Sequence, residues 1–178
     1  MLRISSFNRA VRVSNRRYGH STVGKRPVLT ETVQVIKGES GDFTSKLVSK
    51  VDLFPGQVLA SLEAMTPTDV KRYSTVQTGP DSHVELNSDL LYMNHSCDPN
   101  VVLDTDFGVV AAAREIKKGD AITFFYPSTE WDMDQPFQCW CGSPKCLKHV
   151  RGAKHIDSKT LNQFALSRHI REMKKEQV

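Results

Sequence analysis

Asn94-His95-Ser96-Cys97-Asp98-Pro99-Asn100 and Cys139-Trp140-Cys141-Gly142-Ser143-Pro144-Lys145-Cys146 together contain every cysteine in the chain. Zinc takes four soft, deprotonated ligands in a tetrahedron, and thiolates spaced C-x-C-x4-C on a tight turn supply three of them. Gly142 and Pro144 are residues that bend such a turn. The fourth ligand has to come from elsewhere in the fold, and Cys97 is the cysteine that remains. One ion would then staple the C-terminal segment onto the domain body. A disulfide and unliganded core thiols are the alternative readings. Nothing in the sequence reads as a secretory signal peptide, which weighs against the disulfide. A cysteine cluster beside Gly and Pro weighs against inert core thiols.

Around these two strings the chain reads as mainly β with short helices. Thr32 to Ile36 alternates as a strand and runs into a glycine-marked turn over 37–42. Phe43 to Val51 and Gln57 to Leu62 read as strands split by the turn Phe54-Pro55-Gly56. Thr66 to Tyr73 is expected to hold a helical turn capped by Thr66 or Thr68. Ser82 to Leu86 alternates as a strand after the turn at Gly79-Pro80-Asp81. Val101 to Leu103 and Val109 to Ala113 read as a hairpin, and Ile122 to Tyr126 as an apolar strand. A single C-terminal helix is expected beyond Asp157 or Ser158, with Leu161, Phe164, Ala165, Ile170 and Met173 on one stripe. No internal repeat or low-complexity segment interrupts this pattern.

Composition narrows the function classes. At 178 residues and 39% hydrophobic, the chain can bury one ordinary core, so a single domain and a monomer are expected. No apolar run approaches the ~20 residues that span a bilayer, so no membrane partner is expected. The net charge of +4 is uneven, because residues 1–30 hold seven basic side chains and no acid. The remainder carries 17 basic against 20 acidic residues. That mild acidity makes nucleic acid an unexpected partner and suits a lysine-bearing peptide. The leader itself is Arg-rich, acid-free and interleaved with Leu2, Ile4, Phe7 and Val11. Two readings of it stand side by side: a mitochondrial transit peptide, or a basic tail on a nuclear or cytoplasmic protein.

Asn94-His95-Ser96-Cys97 with Pro99-Asn100, the string Gly119 to Tyr126, and Phe137 followed by the C-x-C-G-S-x-x-C run resemble a SET domain with its post-SET zinc segment. The resemblance spans about residues 32–152 and is strongest over 84–147. It implies the SET-domain β-clip fold, in which small curved sheets surround a threaded segment, with a C-terminal helix added. The domain layout that follows is a leader at 1–30, the SET domain at 31–132, the post-SET zinc segment at 133–154 and the helix at 155–178. The implied activity is S-adenosyl-L-methionine-dependent methylation of a protein lysine, with one structural Zn2+ held by Cys97, Cys139, Cys141 and Cys146. A non-catalytic module that reads a lysine peptide, or a cofactor pocket serving small molecules, are the other functions that fit.

Methyl transfer from a sulfonium to an amine is an in-line displacement at carbon. The amine must be neutral, the sulfonium must lie opposite it, and water must be kept out. Aromatic walls desolvate the ammonium and lower its pKa, and their ring faces favour dispersed positive charge. The resemblance makes Tyr126 the catalytic tyrosine, whose hydroxyl orients the incoming nitrogen and stabilises transition-state charge. It gives the cofactor to Gly38, Gly41, Tyr92, Asn94, His95 and Trp140. It gives the substrate channel to Phe124, Trp131 and Phe137, with Trp131 and Phe137 equally suited to packing the post-SET segment. Trp140 is equally suited to sealing the zinc staple, and Gly38 and Gly41 to an ordinary turn. A phenylalanine at 124 leaves room that a tyrosine hydroxyl would fill, which implies di- or trimethylation. The sequence departs from the family pattern at Leu91, where arginine is usual, at Phe125, and at Lys148, where glycine is common.

Overall fold

In the computed structural model, residues 29–39 and 44–177 are described. The basic leader, except for its last two residues, and Gly41 lie outside them. A single helical turn, α1 (Leu29–Thr32), leads into β1 (Val33–Ile36), which pairs antiparallel with β2 (Lys46–Ser49). β3 (Val58–Ser61) follows the turn at Gly56, whose positive φ of 86° suits a residue without Cβ.

Two elements of the next stretch differ from expectation. Thr66 to Thr68 is the strand β4, not a helical turn, and Thr68 Oγ1 accepts from Val70 N–H in a local turn (3.2 Å). Pro67 explains the preference, because β4 is an edge strand of its sheet, where a missing N–H costs nothing. β5 (Thr75–Gly79) is a strand that the apolar pattern did not mark, since Val76 is its one apolar side chain. It pairs with β6 (Ser82–Glu85), giving the three-stranded order β4-β6-β5.

β7 is the two-residue strand Asn94–His95, and β8 (Val101–Asp104) and β9 (Val109–Ala112) form the expected hairpin. Asp104 Oδ1 closes its turn by accepting from the N–H groups of Asp106 and Phe107, both at 3.0 Å. β9 also pairs with β3. Leu59, Val101, Leu103 and Val110 from this sheet are fully buried, each worth about 1.5–3 kcal/mol. They join Leu47, Leu90, Met93, Ile116 and Ile122 in the main core.

The strand expected over Ile122 to Tyr126 shortens to β10 (Thr123–Phe124), because Pro127 sits inside a tight helical turn spanning Tyr126–Ser128. β10 pairs parallel with β7, joining segments far apart in sequence. Asn100 locks that crossing: its Oδ1 accepts from Thr123 N–H (2.9 Å) and its Nδ2 donates to the Ala121 carbonyl (2.8 Å). β11 (Phe137–Gln138) and β12 (His149–Val150) form a minimal antiparallel pair in the cysteine-bearing segment.

The single C-terminal helix becomes two. Asp157 caps α2 (Ser158–Leu161) as expected, accepting from Thr160 N–H at 2.9 Å, but the helix ends after one turn. The chain then leaves the helical path so that Phe164 can lie flat on Phe125, ring centroids 3.7 Å apart and 6° from coplanar. α3 (Arg168–Glu176) resumes the helix and buries His169 and Ile170. Ile170 joins Phe125, Ala153 and Leu161 in a second core under the tail. Among the described residues, no helix is long and apolar enough to cross a membrane.

Candidate active site

The four cysteines meet. Cys97 arrives at the end of the β7 segment, Cys139 directly after β11, and Cys141 and Cys146 from the turn between β11 and β12. Their Sγ atoms all lie within 4.8 Å of one another, and Cys97 and Cys139 are 4.0 Å apart. A tetrahedron with Zn–S bonds of about 2.3 Å has edges of about 3.8 Å, so the set fits one ion. Burial raises the Cys97 thiol to about 11 and pushes Cys139 up as well. Two such thiols ionise together only if a cation faces them. Backbone N–H groups are already aimed at the sulfurs, Leu147 at Cys97 (3.3 Å) and Lys148 at Cys146 (3.4 Å). The turn needs left-handed backbone at two places, Gly142 (φ 73°) and Lys148 (φ 65°). Lys148 therefore holds, at some strain, the conformation that a glycine adopts freely.

His95 connects this centre to Tyr126. Its Nδ1 accepts the Tyr126 backbone N–H (3.2 Å), so Nε2 carries the proton and donates to Cys97 Sγ at 3.2 Å. Burial drives the imidazole down to about 4, so it stays neutral. A donor that holds the sulfur in this way fixes the orientation of a metal ligand. Here it also fixes the backbone of the tyrosine.

Tyr126 stands among aromatic rings. Centroid distances are 4.7 Å to Phe124, 5.3 Å to His95 and 6.0 Å to Phe137. Its hydroxyl donates to the Met93 carbonyl at 2.9 Å. Burial, with a smaller push from the Glu130 charge, raises its pKa to about 12. It is a phenol at neutral pH, able to donate, and not a phenolate. Phe124, Phe137 and His95 thus join Tyr126 in one cage.

The cofactor residues border one another more loosely. Asn94 Nδ2 donates to the Ser45 carbonyl (3.0 Å), and Gly38 N–H donates to Ser45 Oγ (3.1 Å). Asn94 and Gly38 therefore flank the same residue. Among the described residues no donor reaches Asn94 Oδ1, which leaves an acceptor for an ammonium such as the amine of a methionyl group. That acceptor, close to the rings around Tyr126, fits the amino-acid end of S-adenosyl-L-methionine. A Cβ at Gly38 would come within 1.7 Å of Thr44 Oγ1, so the turn closes tightly on itself there. Tyr92 is half-buried and packs on the main core.

Two tryptophans take other places. Trp140 is 85% exposed, because the cysteines on either side of it turn inward. It does not seal the cluster. Trp131 packs into the C-terminal core, its backbone N–H donating to Gln77 Oε1 (2.8 Å) and the Lys174 ammonium lying 5.7 Å from its ring centre. It stands outside the cage around Tyr126. Two surface recesses, of about 490 and 420 Å3, are lined by Asp98, Arg114 and Cys141 and by Lys154, Asp157 and Lys174. Neither is lined by Tyr126, Asn94 or Gly38.

Sequence reasoning passed over Met93, Glu130 and His169. Glu130 accepts from Gln77 N–H (2.9 Å) and Thr129 Oγ1 (3.1 Å), and His169 Nε2 donates to the Thr129 carbonyl (2.8 Å). No local pattern marks them. A lone Glu before a Trp and a His in a polar helix read as surface residues.

Comparison with known proteins agrees with this geometry. The SET domain family model matches residues 13–127. A protein of Aspergillus flavus named Methyltransferase flvH is 41% identical over 151 residues, covering 84% of each chain. A Candida albicans protein named histone-lysine N-methyltransferase, H3 lysine-36 specific, is 35% identical over 78 residues, which is 39% of this chain and 9% of that one. The fold resembles the crystal structure of KRYPTONITE in complex with mCHG DNA and SAH, with a TM-score of 0.50 at 19% identity. That likeness covers 62% of this chain and 27% of the other.

Proposed function

From the premise that the chain belongs to the SET-domain family, we propose that it transfers a methyl group from S-adenosyl-L-methionine to the side-chain amine of a lysine in a protein or peptide. The observation that carries this reading is the cage of Phe124, His95 and Phe137 around a Tyr126 hydroxyl pinned to the Met93 carbonyl. Several relatives named histone-lysine N-methyltransferases support the lysine.

When bound, S-adenosyl-L-methionine supplies an electrophilic methyl on a cationic sulfur. The chain's residues then have three tasks. The ring faces exclude water and lower the amine's pKa. The Tyr126 hydroxyl and the Met93 carbonyl it touches present oxygen where positive charge spreads in the transition state. Asn94 and the turn that Gly38 opens would hold the cofactor's amino-acid end, and Cys97, Cys139, Cys141 and Cys146 would hold one structural zinc. That zinc supplies shape, not chemistry, because four thiolates leave it no open position.

The test is direct. Titration calorimetry should detect S-adenosylhomocysteine binding, and Tyr126→Phe should leave that binding near normal while slowing turnover about 10²–10³-fold. No binding at millimolar ligand would overturn the reading. Small-molecule amines are the second reading, favoured by the Aspergillus flavus relative of matching length, whose name specifies no protein substrate. Labelled cofactor incubated with cell extract separates the two: label enters protein in the first and small metabolites in the second.

A further inference from the structure

His95 lies where two paired strands part. β7 and β10 run parallel as far as His95 and Phe124, and Ser96 N–H donates to the Phe124 carbonyl (3.0 Å). One more step of that ladder would send Tyr126 N–H to the Ser96 carbonyl. The chain turns instead at Ser96, whose Oγ accepts from Asp98 N–H (3.0 Å), and carries Cys97 to the other three cysteines. The His95 imidazole takes the place of the missing carbonyl, its Nδ1 accepting from Tyr126 N–H at 3.2 Å.

The other ring nitrogen faces the cysteines. Nε2 lies 3.2 Å from Cys97 Sγ, which is 4.0 Å from Cys139 Sγ. Phe125, Tyr126 and Phe137 stand around the imidazole with ring centroids 5.6, 5.3 and 5.6 Å away, which holds it in place. Tyr126 is held elsewhere by its hydroxyl on the Met93 carbonyl and by its own carbonyl, which accepts from Thr129 and Glu130 N–H. His95 thus hydrogen-bonds at one end to a cysteine of the cluster and at the other to the tyrosine backbone.

These two bonds constrain each other. A neutral imidazole carries one proton, so the nitrogen that donates decides which one accepts. A metal-bound thiolate has no proton and only accepts. It keeps the imidazole proton on Nε2 and leaves Nδ1 bare for Tyr126. A free thiol both donates and accepts, and imposes no such choice.

We propose that His95 is a positioning residue for Tyr126, and that metal binding at the four cysteines sets the tyrosine backbone through it. The effect on turnover rests on the methyl-transfer reading; the tether itself does not. The imidazole acts on the tyrosine and not on the cofactor, so its loss should slow turnover without weakening cofactor binding.

The experiment separates the two ends of the ring in the full chain. His95→Asn keeps an acceptor near the place of Nδ1 and loses the donor to Cys97. His95→Gln keeps a donor near the place of Nε2 and loses the acceptor for Tyr126. Turnover is read as label passed from S-adenosylmethionine to cell extract, and metal retention by competition with a chromogenic chelator. His95→Gln should retain metal as wild type does and lose turnover about 10–100-fold, with S-adenosylhomocysteine affinity near normal. His95→Asn should recover part of that turnover, while the chelator draws its metal about 10–100-fold more readily. Two variants alike in both measurements would overturn the proposal.

Nuclear magnetic resonance of wild type decides even if neither variant folds. With 113Cd in the four-thiolate site, the proton on His95 Nε2 should couple to the metal across the Cys97 sulfur. Exchanging zinc for cadmium should also shift the Tyr126 amide, and absence of either signal would overturn the proposal. If both signals appear but wild type transfers no methyl, the tether stands and the methyl-transfer reading fails. Methyl transfer without them leaves that reading intact and removes the tether.

Discussion

Replacing Cys97 with serine should melt the cysteine-bearing segment while leaving the main core folded. The reason lies in how little else holds that segment. In its small cluster, Val150 is the one fully buried apolar side chain besides the cysteines, with Met133, Phe137 and Leu147 partly covered. Burying a valine is worth about 1.5–3 kcal/mol, and each hydrogen bond of the two-residue β11–β12 ladder nets about 1 kcal/mol. Ordering one residue's backbone costs about 1–2 kcal/mol. These contacts therefore offset the ordering of only a few residues, far fewer than the stretch from Met133 to Val150. A four-thiolate zinc site can supply the difference, since structural zinc binds zinc-finger peptides with about 10–16 kcal/mol near neutral pH. Elemental analysis of wild type should find about one zinc per chain. Hydrogen exchange read by mass spectrometry should find the Cys139 and Met133 amides, which donate to the Lys148 and Arg151 carbonyls, protected in wild type and open in Cys97→Ser. The β8–β9 amides should stay protected in both. Purified protein free of zinc, yet equally protected over 133–150, would refute the reasoning.

Other perturbations reach different parts of the molecule. Phe124→Tyr adds a hydroxyl to a ring whose centre lies 4.7 Å from that of Tyr126, and should shift products toward monomethyl-lysine. Mass spectrometry giving an unchanged methylation state would sink that expectation. Acid should destabilise the C-terminal packing. Burial is the main cause that lowers His169 and His83, with Lys71 and His169 adding to the effect at His83. Folded pKa values below the unfolded 6.5 mean that stability is complete above that value and falls as pH drops through it, until the folded values are passed. Tm should therefore be flat above pH 7 and decline below about 6.5, less steeply in His169→Gln, whose amide can still donate to Thr129. A slope between pH 7 and 5 identical to wild type would count against the buried imidazoles.

The sequence disclosed what is written in residue type and short spacing. The cysteine tetrad, the β8–β9 hairpin and the Asp157 cap depend on neighbours a few residues apart, or on a residue class used for nothing else. The fold class was legible through family resemblance, whereas of the three rings expected to wall a channel only Phe124 and Phe137 stand by Tyr126 and Trp131 packs under the tail. The structure departs where long-range contacts decide. Leu161, Phe164 and Ile170 share a helical stripe, yet stacking of Phe164 on Phe125 breaks the helix between them. Thr66 to Thr68 became a strand because β6 was there to pair with it. β5 was invisible because its buried side chains are largely polar, with Thr75 held by Arg72 and Gln77 by its own turn. Trp140 was placed by its type, whereas its direction is set by the two cysteines that flank it.

His169 grips the Thr129 carbonyl three residues beyond Tyr126, and Ser167 N–H reaches the Ser128 carbonyl at 2.9 Å. The tail is thus a buttress for the segment that follows Tyr126. Shortening the chain ahead of Ser167 should remove both contacts and loosen the segment that follows Tyr126. Affinity handles and fusions belong after the last turn of α3, where Glu176 and Gln177 face solvent.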